Sequence, residues 1–489
     1  MEYNASSEEL GWLKEATIEQ MQTAMDAGTI SSKGIVLWYL ARIASYDKQG
    51  ATINAVLEIN PDALHLAEAL DVERVRQGKR GMLHGIPLLL KDNIDTADKL
   101  HTSAGSLALA NSYASEDSHV AKQLREAGAV ILGKANMTEW ANFMTDGMSN
   151  GYSSRGGQVR NPYGLGVFDV GGSSSGSAAA VAANLTAVAI GTETSGSILN
   201  PASLNSIVGI KPTVGLISRR GIIPIAHSQD TAGPMAPNVE DAVALLGSMT
   251  GVDERDPVTL AAVGRTYRDY TQFLDEDGLH GARIGVVRDP FFDVLKGDWK
   301  TSMENVIEEL RGAGAVIIDA RMPSGHEDWG YEVLLYEFKP NLNAYLSKLS
   351  PHVPVHSLEE VIAFNRKYRE QALRYGQSVL IDSQETSGTL TEAIYLERRA
   401  KELQLSQEEG IDEALNEHQL DALLLPGSNG CHIAAKAGYP SITAPAGYTS
   451  EGEPIGVTFT GTAFCEPTLI KLAYAFEQRT KLRVSPKLQ

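Results

Sequence analysis

The sequence predicts an α/β protein: a large mixed β-sheet core flanked by helices on both faces, preceded by an N-terminal helical arm. Three observations carry this. The runs PLLL inside LHGIPLLLKDNID from Leu83 and TAVAIG from Thr186 are continuous and apolar over strand length, the pattern of strands buried on both faces. Twice a helix runs directly into a strand: LREAG from Leu124 into AVILG, and LRGAG from Leu310 into AVIID. These two units read as αβ building blocks rather than a solenoid repeat. Glycine and proline are scattered along all 489 residues, so no stretch reads as a linker and one large domain is favoured over several.

Taken in order, residues 1–60 read as a mainly helical arm. From about Ser7 to Tyr46 apolar positions recur at helical spacing, and Ile35, Leu37, Trp38, Leu40, Ala41 and Ile43 mark one face. The α/β core then covers residues 61–489. Its first strong strand ends in polar residues at Lys91 and Asp92. SAAAVAAN from Ser177 reads as a short helix of small residues able to approach a sheet closely, followed by the strand TAVAIG. ILNPAS from Ile198 starts a helix with Pro201 in its first turn. Residues 327–407 are richer in long polar and aromatic side chains and read as a mostly helical segment covering one face of the site. DALLLPG from Asp421 and YPSITAPAG from Tyr439 supply further strands, and LIKLAYAFEQRT from Leu469 closes with a helix.

Composition sets limits on function. A net charge of −19 argues against a nucleic-acid groove, which needs concentrated Lys and Arg. With 43% hydrophobic and 21% charged residues, the chain has enough apolar material for a sizeable core, and disorder is not expected. Cys431 and Cys465 are the only cysteines, too few for a disulfide framework and without a CxxC metal pattern, which fits a reduced compartment. The start, MEYNASSEELGWLKEA, has neither a basic nor an apolar leader region, and no window reaches membrane-spanning length. A cytoplasmic protein is expected, with no nucleic-acid or membrane partner.

The stretch from Gly171 to Ser206 crowds serines and threonines around two glycine-rich turns, GGSSSG and GTETSGS. Glycine lets such turns bring backbone N–H groups and hydroxyls together. The second turn delivers Ser197 between a strand and a helix, a setting in which a nucleophile and an oxyanion hole occur together. A pair of Ser/Thr-rich structural turns explains the same stretch. GSSSG from Gly172 also matches GxSxG and would make Ser174 a nucleophile, but the segment before it is a weak strand. GAVILGKA from Gly128 nearly matches a phosphate-binding loop, yet Ala135 replaces the magnesium-binding hydroxyl and AVIL reads as strand. Ser45 to Lys48 matches S-x-x-K at the end of an amphipathic helix, where chance explains it. None of the eleven histidines forms HxH or HExxH, so neither a metal site nor a cofactor is expected. With no histidine in the hydroxyl-rich stretch, a lysine held neutral by burial is the alternative base. Lys91, at the polar end of its strand, is the candidate, against the ordinary explanation of a strand-end lysine reaching solvent.

GGSSSGSAAA, GTETSGSI, VGIKPTVG from Val208 and LHGIPLLLKDN, together with SAGSLAL, DTAGPM and AGYPSIT, resemble the amidase signature family of serine hydrolases over most of the chain. SLAL, EWANF at Glu139 and SQDTAGPM resemble most its bacterial peptide amidases. The resemblance implies the amidase signature fold and hydrolysis of a carboxylic amide to acid and ammonia through an acyl-enzyme. It makes Ser197 the nucleophile, Ser173 the bridging serine after a cis peptide bond, Lys91 the base, and Ser174 a bystander. It implies that the N–H groups of Thr194, Ser195, Gly196 and Ser197 face the oxyanion. Thr192 supports the triad or simply stabilises the turn, and Asp92 and Asn93 position Lys91 or simply cap the strand. The substrate is a small-molecule or peptide amide, with Trp140, Phe143 and the segment Tyr331 to Tyr345 as pocket candidates; the protein is expected to be a monomer or weak homo-oligomer.

There are two departures. Ser195 stands where a peptide amidase is expected to carry aspartate. Leu199 stands where the subunit supplying ammonia for tRNA-dependent amidation carries arginine. Such a subunit, an esterase with the same triad, and a non-catalytic binding protein are the alternatives.

Overall fold

The computed structural model describes residues 10–488, so the first nine residues of the expected arm and the last residue of the chain lie outside it. The strands are Val56–Ile59 (β1), Pro87–Lys91 (β2), Val130–Ala135 (β3), Tyr152–Ser153 (β4), Gly157–Gln158 (β5), Val188–Glu193 (β6), Val208–Lys211 (β7), Thr231–Ala236 (β8), Arg283–Val286 (β9), Val316–Asp319 (β10), Ala422–Pro426 (β11), Ser441–Tyr448 (β12) and Pro454–Thr460 (β13). Among the described residues, β4 and β5 form a separate hairpin and the rest form one 11-stranded sheet in the order β1-β3-β2-β6-β8-β7-β12-β13-β11-β9-β10. The sheet is mixed: β3, β2 and β6 run parallel, as do β11, β9 and β10, and the remaining neighbours are antiparallel.

Every residue of β2, β3 and β6 is buried, which explains why their sequences are continuously apolar instead of alternating. The helix Ser175–Ala182 is buried along its whole length against this sheet. Its small residues are a steric requirement. A Cβ at Gly176 would lie 2.3 Å from the Asn136 carbonyl oxygen and 2.4 Å from that of Ala55. Two of its hydroxyls fasten it to β6: Ser177 Oγ donates to the Ile190 carbonyl at 3.0 Å, and Ser174 Oγ, at its N-cap, to that of Thr192 at 3.1 Å. Both αβ blocks form as the sequence indicates, with helices His119–Glu126 and Gly297–Gly312 leading into β3 and β10.

The arm differs from expectation in two respects. Its helix Ser32–Arg42 buries Ile35, Val36 and Tyr39, and Ile43 at its C-cap continues the same face, whereas Leu37 and Ala41 face solvent. At 100° per residue, positions 35, 39 and 43 share a face that 37 and 41 cannot join. The arm also ends in β1, an edge strand antiparallel to β3 that four residues including Glu58 do not announce. Ser45 and Lys48 lie in the wide helical turn Ile43–Lys48, where Lys48 Nζ donates to the Val56 carbonyl.

The C-terminal segment is tied back to the arm by Arg483, whose guanidinium grips Glu15 with two bonds of 2.9 Å and donates to the Ser206 carbonyl at 2.7 Å. Arg483→Ala takes the cation from a partly buried carboxylate, which keeps Asn184 Nδ2 as a donor at 2.6 Å, and takes the donor from the Ser206 carbonyl. It is expected to lower unfolding stability by about 2 kcal/mol, read by urea denaturation, with activity unchanged. Because the guanidinium holds the Glu15 carboxyl below its ordinary value of 4.5 despite burial, this contribution is present above that pH and is lost as pH falls through the lowered value.

Helices Glu332–Leu346, Leu358–Lys367, Ser378–Glu385 and Ala393–Ser406 fill most of the 327–407 segment. The first three pack into a second apolar cluster with Trp140, Phe143 and Met144, separate from the core around the sheet. Among the described residues, no helix is long and apolar enough to cross a membrane.

Candidate active site

Strands β2 and β6 lie side by side in parallel register, Leu88 to Leu90 opposite Val188 to Ile190. Lys91, the last residue of β2, therefore emerges beside Thr192. It is fully buried. Its Nζ donates to Thr192 O and Thr192 Oγ1, both at 3.0 Å, and to Ser173 Oγ at 2.8 Å. Burial pushes the amine from an ordinary value of 10.5 down to about 7, with Glu193 and Asp230 pulling the other way. Ser173, also fully buried, follows a cis peptide bond from Gly172, and its carbonyl accepts from Thr138 N at 3.1 Å.

Ser197 ends the turn that leaves β6. Gly196 takes φ +77° there, a left-handed conformation that glycine adopts without penalty. The two glycine-rich turns meet through the backbone, with Ser174 N donating to Ser197 O at 3.1 Å. Ser197 is 8% exposed, and among the described residues its hydroxyl has no hydrogen-bond partner, Ser173 Oγ included. Lys91, Thr192 and Ser173 are thus in direct contact, while Ser197 joins them through the main chain. The backbone N–H groups of Thr194, Ser195, Gly196 and Ser197 likewise find no acceptor among the described residues. Ser195 is exposed. Leu199 is buried.

The remaining candidates separate clearly. The Ser174 hydroxyl is turned back onto Thr192. Asp92 points away from Lys91 and binds Ser103 Oγ, Gly105 N and Arg155. Asn93 instead donates to Thr192 Oγ1 at 3.0 Å and so touches the group that touches Lys91. Lys134, from the near-match to a phosphate loop, is buried on Ile94 O and Thr102 Oγ1. Trp140 and Phe143 pack with the 331–345 segment, where the Phe143 and Phe338 rings are 5.1 Å apart. A cavity of about 230 Å³ opens beside Thr192 and Thr194, bounded also by Asn93, Ile223, Asn341 and Tyr345. Two residues escape sequence reasoning. Asp230 accepts from the Thr194 hydroxyl and from Ile225 N and Ala226 N, and Glu193 accepts from Ile198 N and Leu199 N. Their one signal in the sequence is an acid beside a hydroxyl or a glycine-rich turn.

A family model described as Amidase matches residues 34–432, and the sheet carries the matching fold, so the chain is a hydrolase acting on the carbon–nitrogen bond of amides. It belongs to the amidase signature family. It is similar to the peptide amidase from Stenotrophomonas maltophilia, at 46% identity and a TM-score of 0.92, over 97% of this chain and 99% of that one. The "probable amidase" of Arabidopsis thaliana is 44% identical over 97% of this chain and 92% of its own length. A glutamyl-tRNA(Gln) amidotransferase subunit of Halorhodospira halophila is 40% identical, over 64% of this chain and 62% of its own length.

Proposed function

We propose that the enzyme hydrolyses peptide C-terminal amides to acid and ammonia through Lys91, Ser173 and Ser197, by way of an acyl-enzyme. The observation that carries this reading is the buried Lys91 amine bonded to Ser173 Oγ. Thr192 O can only accept, so one amine hydrogen is committed to it; Thr192 Oγ1 takes the second. A neutral amine then directs its lone pair at Ser173, whose proton it accepts while Ser173 takes the Ser197 proton. Ser197 Oγ attacks the amide carbonyl as its hydroxyl is deprotonated. The unoccupied N–H groups of the 194–197 turn receive the oxyanion, where each donor is worth about 3 kcal/mol in comparable sites. The proton returns from Lys91 through Ser173 to the leaving nitrogen. Water then attacks the ester; its proton passes through Ser173 to Lys91 and returns by the same path to Ser197 Oγ as the acid leaves. Every proton in this sequence travels on protein groups.

The preference for peptide amides is supported by the likeness to a peptide amidase along nearly the whole chain, against two thirds of it for the amidotransferase subunit. Ser195 supplies an exposed hydroxyl where a peptide amidase is expected to carry a carboxylate. Ammonia release from matched peptide, aliphatic and aryl amides, with the corresponding esters alongside, is expected to favour the peptide amides. Turnover of simple aliphatic amides with none of peptide amides would overturn the substrate assignment.

A further inference from the structure

We infer that Glu193 is a positioning residue that holds the nucleophile turn open, keeping the amides of residues 194–197 free for the substrate oxygen. This rests on the reading proposed above and adds a residue to it. The helix Leu199–Leu204 begins after Ile198, which has no side chain able to cap it. Glu193 takes that place from the end of β6. Its Oε2 accepts from Ile198 N at 2.7 Å and from Leu199 N at 3.1 Å, closing a loop whose intervening residues are the four with unoccupied N–H groups. Those two bonds satisfy the Ile198 and Leu199 amides from upstream, and the turn's own Gly196 carbonyl takes the next one, Asn200 N, at 2.8 Å. Glu193 is 1% exposed, and among the described residues its buried Oε1 has no hydrogen-bond partner. A carboxylate so placed needs compensating charge. The fully buried Lys211 on β7 supplies it, and Lys91 on β2 adds to it whenever it carries a proton; the Cys431 thiol of the helix Cys431–Ala437, the third titratable group facing Glu193, stays neutral. Lys91 in turn faces two carboxylates, Glu193 and Asp230.

The test compares wild type, Glu193→Gln and Glu193→Ala for kcat and KM on a peptide amide, for inhibition by a peptide aldehyde, and for the pH profile. The aldehyde carbon bonds to Ser197 Oγ, the hydroxyl proton passes through Ser173 to Lys91, and the former carbonyl oxygen occupies the turn's N–H groups. Glu193→Ala is expected to lose about 100-fold in kcat and in aldehyde affinity while KM moves less than about threefold. Glu193→Gln keeps an acceptor oxygen but loses the charge. It is expected to retain most activity, with the rising limb of its pH profile moved to lower pH, because only Asp230 then raises the Lys91 value. Wild-type aldehyde affinity in folded Glu193→Ala would overturn the inference, as would a rise in KM at constant kcat. Should Glu193→Ala not fold, Glu193→Asp takes its place: its carboxylate is one methylene too short to reach both Ile198 N and Leu199 N, and wild-type kcat and aldehyde affinity in it would overturn the inference. A wild-type enzyme that neither releases ammonia nor binds the aldehyde would instead remove the underlying catalytic reading.

Discussion

Lys91→Ala is expected to lower kcat/KM by about 10⁴-fold or more, the scale seen when one member of a concerted proton-transfer set is removed. The pH profile makes the experiment specific. In the wild type the base works as the neutral amine, so activity should be low below the folded-state value, rise through about pH 7, and level above it. The sign follows from burial: taking the ammonium out of water favours the uncharged form, so the group releases its proton well below its ordinary value of 10.5. Residual activity in Lys91→Ala should lack this limb. Circular dichroism and the thermal midpoint separate loss of the base from loss of the fold, since the side chain leaves a buried gap. A variant that keeps full activity and an unchanged limb would remove Lys91 from the mechanism.

Ser197→Ala is the second large effect. It is expected to abolish measurable turnover and all labelling by a fluorophosphonate, because no acyl or phosphonyl ester can form without the hydroxyl. The substitution removes a side-chain oxygen that no group among the described residues uses, so stability should change by less than about 1 kcal/mol. Ser174→Ala is the matched control: that hydroxyl ties the helix to Thr192, and the variant should still be labelled. Mass spectrometry of the labelled peptide distinguishes the two serines, and a label on Ser174 would reverse their roles.

Much of this arrangement is legible from residues alone. The runs in β2 and β6 are unambiguous because both faces of these strands are covered, and helices made only of small residues announce close contact with a sheet. Lys91, Ser173 and Ser197 are reached through motifs and family resemblance. What the sequence does not carry is adjacency. Nothing in PLLLK says that its neighbour is VAIGTE, so the contact between Lys91 and Thr192 emerges only once the strands are in register. The reach of Glu193 to Ile198 and Leu199 depends on how tightly the intervening turn curls, which no local propensity encodes. Leu37 shows the opposite failure. It is an apolar residue within a helical pattern, which suggests the buried face, yet its angular position sets it outward.

The covering helices meet the rest of the molecule through an apolar cluster of their own instead of threading into the one beneath the sheet. Phe338 and Leu342 seat their helix in that cluster, and Asn341, Ala344 and Tyr345 of the same helix border the cavity beside Thr192. A shift of that helix on its own bed of side chains would therefore alter one wall of the cavity while leaving the strand that carries Lys91 in place.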